Sequence, residues 1–310
     1  MNALYAQYGV SKQGHWEAVK RERVQQAKAL LYVGFIEDIR EMHPGMGLRK
    51  MYDQFQPEGI GRDAFIALGL QHGFRLRAIE WPPYKTTQSV KSTRYKNLLV
   101  GKAFTNVNQL WVSDLFYFPL HGKHYYVILI MDAYSRRIIG YSLADNMRAE
   151  NNIAALQMAL TLRGIEKFGY GLIHHSDRGS QYISDDYTNL LTAYEIRISM
   201  CLDVLENAHS ERVNGTIKNE YLGNWNIDNF YQLQQRLHMA VENYNNRRHM
   251  SLEMTPIEFE AYVNELDEKS RRPMAVYTIN KSLDNPCQLE FKFDLLFSHL
   301  GQAILGKHKL

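Results

Sequence analysis

The chain has 310 residues, more than one average domain, and its 45% apolar and 22% charged content is that of an ordinary soluble globular protein with a net charge of only +3. Its longest apolar run, Tyr125 to Met131, falls far short of the ~20 residues needed to span a bilayer, and the N-terminus shows no charged-then-apolar leader, so neither membrane insertion nor export is expected. Two cysteines, Cys201 and Cys287, offer neither a disulfide framework nor paired metal-ligand spacing, which points to a reducing cytoplasm.

Residues 1–75 read as helical. The stretch from Leu4 to Trp16 has the form of a helix, a turn at Gly9 and a second helix capped by Ser11. An amphipathic run follows, with Val24, Ala27, Leu31, Ile36, Ile39 and Met42 at helical spacing. His43-Pro44-Gly45-Met46-Gly47 breaks it, a new helix starts near Leu48, and Gly59-Ile60-Gly61 turns the chain into another. This region is helix-turn-helix-like, with a plain helical bundle as the alternative. Gly45-x-Gly47 is no dinucleotide fingerprint, because no strand precedes it.

Residues 76–105 read as a basic linker stiffened by Pro82-Pro83. Between Arg75 and Lys102 stand seven basic residues and one acid, Glu80, with Trp81, Tyr84 and Tyr95 interleaved. That pattern suits a phosphate backbone and makes Lys85, Lys91, Arg94 and Lys96 candidate DNA contacts. From residue 106 the period changes to that of strands: Gln109–Pro119, His124–Asp132 and Arg137–Leu143 form an antiparallel meander. A helix near Ala149–Leu162, a buried strand at Gly171–His175, a helix near Ser184–Tyr194 and a strand at Arg197–Met200 follow. The expected class is α/β: a mixed sheet with flanking helices over 106–264, preceded by the all-α region, with 265–310 as an extension.

Three acids stand out. Asp114 shares a strand face with Phe116 and Phe118, where an unpaired carboxylate is costly. Asp177 directly follows a buried strand, at the end where open sheets place ligands. Glu211 lies in a helix whose spacing groups Asn207, Glu211, Asn214 and Lys218 on one face and Val213, Ile217 and Tyr221 on the other. Such carboxylates can converge on a pair of hard divalent cations. Asp132, at a strand end before Ala133-Tyr134-Ser135, reads as a turn residue. His174 and His175 read as packing and hydrogen-bonding groups, since no further ligand stands at zinc spacing.

Taken in order, Trp111-x-x-Asp114, Met131–Gly140, His174-His175-Ser176-Asp177-Arg178-Gly179-Ser180, Glu206–Glu211 continuing to Lys218-Asn219-Glu220, and Tyr244-Asn245-Asn246-Arg247-Arg248-His249 resemble one family: second-frame (OrfB-type) transposases of bacterial insertion sequences, with a retroviral-integrase-like core. The likeness runs from about residue 4 to 262. It implies a ribonuclease H-like fold and a catalytic, metal-binding triad of Asp114, Asp177 and Glu211 using two Mg²⁺ ions, or Mn²⁺ in their place. It further implies end cleavage and strand transfer on double-stranded DNA by a homo-oligomer, helped by a first-frame protein. Asn207, Lys218, Arg247 and Arg248 are the DNA contacts it implies near the core. Two departures stand out: the loop after Ser199 is about two residues short, and Arg248-His249 lacks the family's intervening proline, so no role passes to His249. Residues beyond 265 match nothing in the family. Alternatives are an inactive DNA-binding regulator and a ribonuclease H-like nuclease.

Overall fold

The computed structural model describes residues 9, 11–81, 94–99, 101–201 and 208–274. Helix α1 (Lys12–Met42) starts where the Ser11 hydroxyl accepts the Gly14 amide at 2.9 Å, as the capping pattern requires. It then runs unbroken for 31 residues, so the capped helix and the amphipathic run are one element. Gly14 and Gly34 cost a helix roughly 1 kcal/mol each without ending it. The expected apolar stripe is buried only near its end, at Ile36 and Ile39; Val24, Leu31 and Met42 are exposed, Leu31 by 73%. Helices α2 (Leu48–Phe55) and α3 (Arg62–Gln71) close with the end of α1 on a small core of Ile36, Ile39, Met46, Leu48, Met51 and Phe65.

Strands β1 (Leu110–Leu120), β2 (Lys123–Asp132) and β3 (Ile138–Ala144) form the expected meander. His121 and Gly122 both take positive φ, the geometry of a two-residue hairpin turn. Asp132 ends β2 and accepts the Tyr134 and Ser135 amides at 3.0 and 3.2 Å, the turn role its position foretold. After helix α4 (Ala149–Arg163) come β4 (Ile173–Ser176), α5 (Ser180–Ile183), α6 (Asp185–Ala193) and β5 (Arg197–Met200). The sheet order is β3-β2-β1-β4-β5, with β1, β4 and β5 parallel and β2 antiparallel to its neighbours. This is the ribonuclease H-like arrangement. Close helix–sheet contact shows at Gly140, where a Cβ would collide with the Ala155 carbonyl of α4.

Both faces of the sheet are buried. Val112, Phe116, Val127, Leu129 and Met131 pack on α7 (Ala208–Gly215) and α8 (Phe230–Asn245). Trp111, Leu115, Ile128, Ile130 and Ile139 pack on α4 and α6. Alternation along β1 assigns Asp114 to the α7 face. Helix α9 (Pro256–Glu265) begins with a Thr255/Glu258 capping box and sends Glu260 into a buried ion cluster with Arg137, Arg163 and Asp132. Part of the expected linker is built into the core: Leu99 and Phe104 are buried, and Trp81 stacks edge-on to Phe118. Among the described residues no helix is long and apolar enough to cross a membrane.

Candidate active site

Strand pairing sets the first two acids side by side. The β1–β4 register runs Leu110 to Ile173, Trp111 to His174 and Val112 to His175. The same offset carried two residues further brings Asp114 abreast of Asp177, just past the end of β4. Among the described residues β1 has no strand partner on that side beyond Val112. The two carboxylates thus stand where the sheet opens at the carboxyl end of β4, the ligand-binding edge of such sheets.

Asp114 is held from both sides. The Leu115 amide donates to Oδ1 at 2.8 Å and Asn214 Nδ2 donates to Oδ2 at 2.9 Å. Asp177 accepts the Gly179 amide at 2.9 Å, so the turn after β4 fixes its side chain. The Asn214 bond clamps α7 against the Asp114 face of the sheet, while Val213 and Ile217 are buried in the core beneath. Glu211, one turn before Asn214, is the most open of the three acids.

Electrostatics ties Asp114 to the other two acids. Burial, then the charges of Asp177 and Glu211, push the Asp114 carboxyl up to about 7, against the Leu115 amide and Asn214. Burial also raises Asp177 and Glu211. Among the described residues none of the three is in an ion pair. Nor, among those residues, do any three His, Cys, Asp or Glu side chains close around one point as a finished cation site. Asp114 thus feels the charge of two further acids, and carboxylate oxygens are the donors a hard divalent cation takes.

This has a measurable consequence. A carboxyl raised in the folded state binds its proton there before it does in the unfolded chain. The contribution of Asp114 to stability therefore falls as pH rises from the ordinary aspartate range toward 7. Mg²⁺ should therefore raise the melting temperature more near about pH 8, where the Asp114 carboxyl is ionised, than near about pH 5. A pH-independent response to Mg²⁺ in a thermal-shift assay would remove Asp114 from the cation site.

The other candidates are scattered. Lys218 lies past the point where α7 widens into a π-helical stretch (Thr216–Tyr221). Its ammonium sits 4.0 Å from the Tyr117 ring centroid and 4.7 Å from that of Trp81. Arg94 is exposed beside Asp185 at 3.4 Å, Lys96 is exposed, and Arg248 bonds the Glu253 carbonyl at 2.8 Å. Arg247 is a correction: it is only 4% exposed, bonds Glu220 at 2.7 Å and stacks over Tyr221 and Tyr244, so it serves packing and not a DNA surface. Lys85, Lys91 and Asn207 lie outside the described residues. His174 and His175 take the bonding roles expected, to Tyr187 at 2.9 Å and Ser199 at 2.8 Å. Sequence reasoning put Asn214 on the right helix face but missed its bond to Asp114; an amide one turn after a candidate ligand was the available signal.

Comparison with known proteins agrees with this architecture. Profiles described as an integrase core domain match residues 105–202 and 195–256. The insertion element IS600 31 kDa protein of Shigella sonnei is 31% identical over 251 residues, covering 78% of this chain and 90% of its own. The transposase for insertion sequence element IS629, also of Shigella sonnei, is 30% identical over 213 residues, covering 67% and 70%. A solved HTLV-2 integrase catalytic core domain in complex with magnesium is 19% identical, covers 50% of this chain and 97% of its own, and superposes with a TM-score of 0.41. A mixed sheet of this order with an integrase core defines a polynucleotidyl transferase. The chain belongs to the insertion-sequence transposases with an integrase-like core.

Proposed function

We propose that the protein cuts DNA at the ends of an insertion sequence and joins those ends to a second duplex, with Asp114, Asp177 and Glu211 as its catalytic carboxylates. The observation that carries this reading is the Asp114 carboxylate, bonded at 2.9 Å by Asn214 from the helix that carries Glu211 and pushed up by burial and by the charges of Asp177 and Glu211. Asp114 and Asp177 would hold Mg²⁺ or Mn²⁺, with Glu211 completing one of two sites. When bound, such cations supply an activated oxygen nucleophile and offset charge on the attacking and leaving oxygens. The chain's own part is positional. The Leu115 amide and Asn214 fix the Asp114 oxygens, the Gly179 amide fixes Asp177, and α7 delivers Glu211. No side chain needs to attack phosphorus.

DNA would lie along the N-terminal helices, the basic segment with Lys85, Lys91, Arg94 and Lys96, and the helix face carrying Asn207 and Lys218, with Arg248 near it. Two element ends must meet, so a homo-oligomer on DNA is part of the reading, as are a first-frame partner protein and action in the cytoplasm. The test is a gel assay with Mg²⁺ and two substrates, a duplex ending in the element terminus and an RNA–DNA hybrid. The expected product is the duplex strand joined to target DNA. Hybrid hydrolysis without joining would make the protein a nuclease, and binding without either reaction would make it a regulator.

A further inference from the structure

The breaker between α1 and α2 does more than turn the chain: it docks on the π-helical half of the helix that carries Glu211. The Gly45 amide donates to the Glu220 carbonyl at 2.7 Å, and a Cβ on Gly45 would collide with that oxygen. A π-turn loosens the i→i−4 ladder and frees carbonyls for outside partners. Around this point His43 Nδ1 shares a hydrogen bond with the Tyr221 hydroxyl at 2.9 Å, and Asn243 Nδ2 donates to the Met42 carbonyl at 2.7 Å. The Glu220 carboxylate is gripped from two directions. Lys50 of α2 reaches its oxygens at 3.0 and 2.8 Å, and buried Arg247 at the end of α8 donates to Oε2 at 2.7 Å. Against the upward push of burial, Arg247 and Lys50 hold that carboxyl below the usual glutamate range.

We propose that Glu220 is a positioning residue: the joint through which the N-terminal helices hold the helix bearing Glu211 and Lys218 in its working register, so that DNA seated on those helices is felt at the acids. The proposal rests on the transposase reading for its DNA half. Its mechanical half stands on the contacts alone. Charge-assisted bonds of this length are directional, and they link packed elements into one network, the physical means by which distant positions become coupled. Glu220 touches neither the acids nor a reacting atom, yet it fastens the same helix at its far end that Asn214 fastens at its near end.

The test uses the full chain. Glu220→Gln would leave buried Arg247 poorly paired and is open to misfolding, so the informative variant is Lys50→Met. Lys50 is a third exposed, its loss should cost the fold little, and Arg247 keeps its partner. Two readouts are taken: hydrogen exchange of amides 211–221 without DNA, and end joining at saturating DNA with end affinity measured separately. In Lys50→Met, exchange in that helix should rise about tenfold while β1 amides stay unchanged. Joining should fall about tenfold at saturation with end affinity unaltered. Lys50→Arg should restore both. Unchanged helix exchange, a loss confined to DNA affinity, or failure of Lys50→Arg to rescue would overturn the joint. An exchange response in a protein whose wild type joins no DNA would support the joint and overturn the transposase reading instead.

Discussion

Asp114→Asn removes end cleavage and strand transfer by at least roughly a thousandfold, about 4 kcal/mol of barrier, while leaving the protein folded and able to bind DNA. The neutral amide is nearly the same size, so packing on the α7 face of the sheet is kept. One oxygen still accepts the Leu115 amide, but the other position becomes an NH₂ that faces the Asn214 amide donor. The charge that would hold a cation is gone. Relief from the repulsion of Asp177 and Glu211 should raise the melting temperature above that of the wild type without divalent ions. The checks are a joining assay, a DNA-binding assay and a melting curve on one preparation. A variant that joins DNA at even a tenth of the wild-type rate would take Asp114 out of the chemistry.

Glu260→Ala should be the most damaging single change to the fold outside the apolar core. Arg163 bonds both Glu260 oxygens at 2.6 and 2.8 Å and Asp132 at 3.2 Å, and Arg137 adds a bond to Glu260 at 2.6 Å. Asp132 is fully buried and Arg163 is 9% exposed. Removing Glu260 from such a cluster takes the carboxylate from Arg137 and leaves Arg163 with Asp132 alone, at a cost of about 3–5 kcal/mol. For a protein of this size that is a fall of about 10 °C in melting temperature. The sign with pH follows. Burial pushes Glu260 up, but Arg163 and Arg137 hold it below the ordinary range, so its contribution is full above that range and lost as pH falls through the lowered value. A melting temperature within about 2 °C of wild type would mean the cluster contributes no net stability.

Much of this was legible in the residues. The meander was readable because period-two alternation, turn residues and an apolar second strand all agree. Asp114 stood out because its strand context makes an unpaired carboxylate costly, and it is held by two hydrogen bonds. What escaped was non-local. Arg247 looked like a surface cation because it follows Asn245-Asn246 and precedes Arg248-His249; its partner Glu220 is 27 positions earlier. Val24 and Leu31 had helical spacing, but spacing cannot say where the body of the protein ends. Leu99 and Phe104 were hidden inside a segment whose charge drew attention first.

The widening of the helix at Thr216–Tyr221 has its own consequence. A π-turn is what a helix becomes on taking in one surplus residue, and each residue of a helix advances the winding by about 100°. Side chains upstream are therefore phased by the sheet, and those downstream are phased separately by the N-terminal helices. One rod answers to two clocks, and a single deleted residue would bring it back to one.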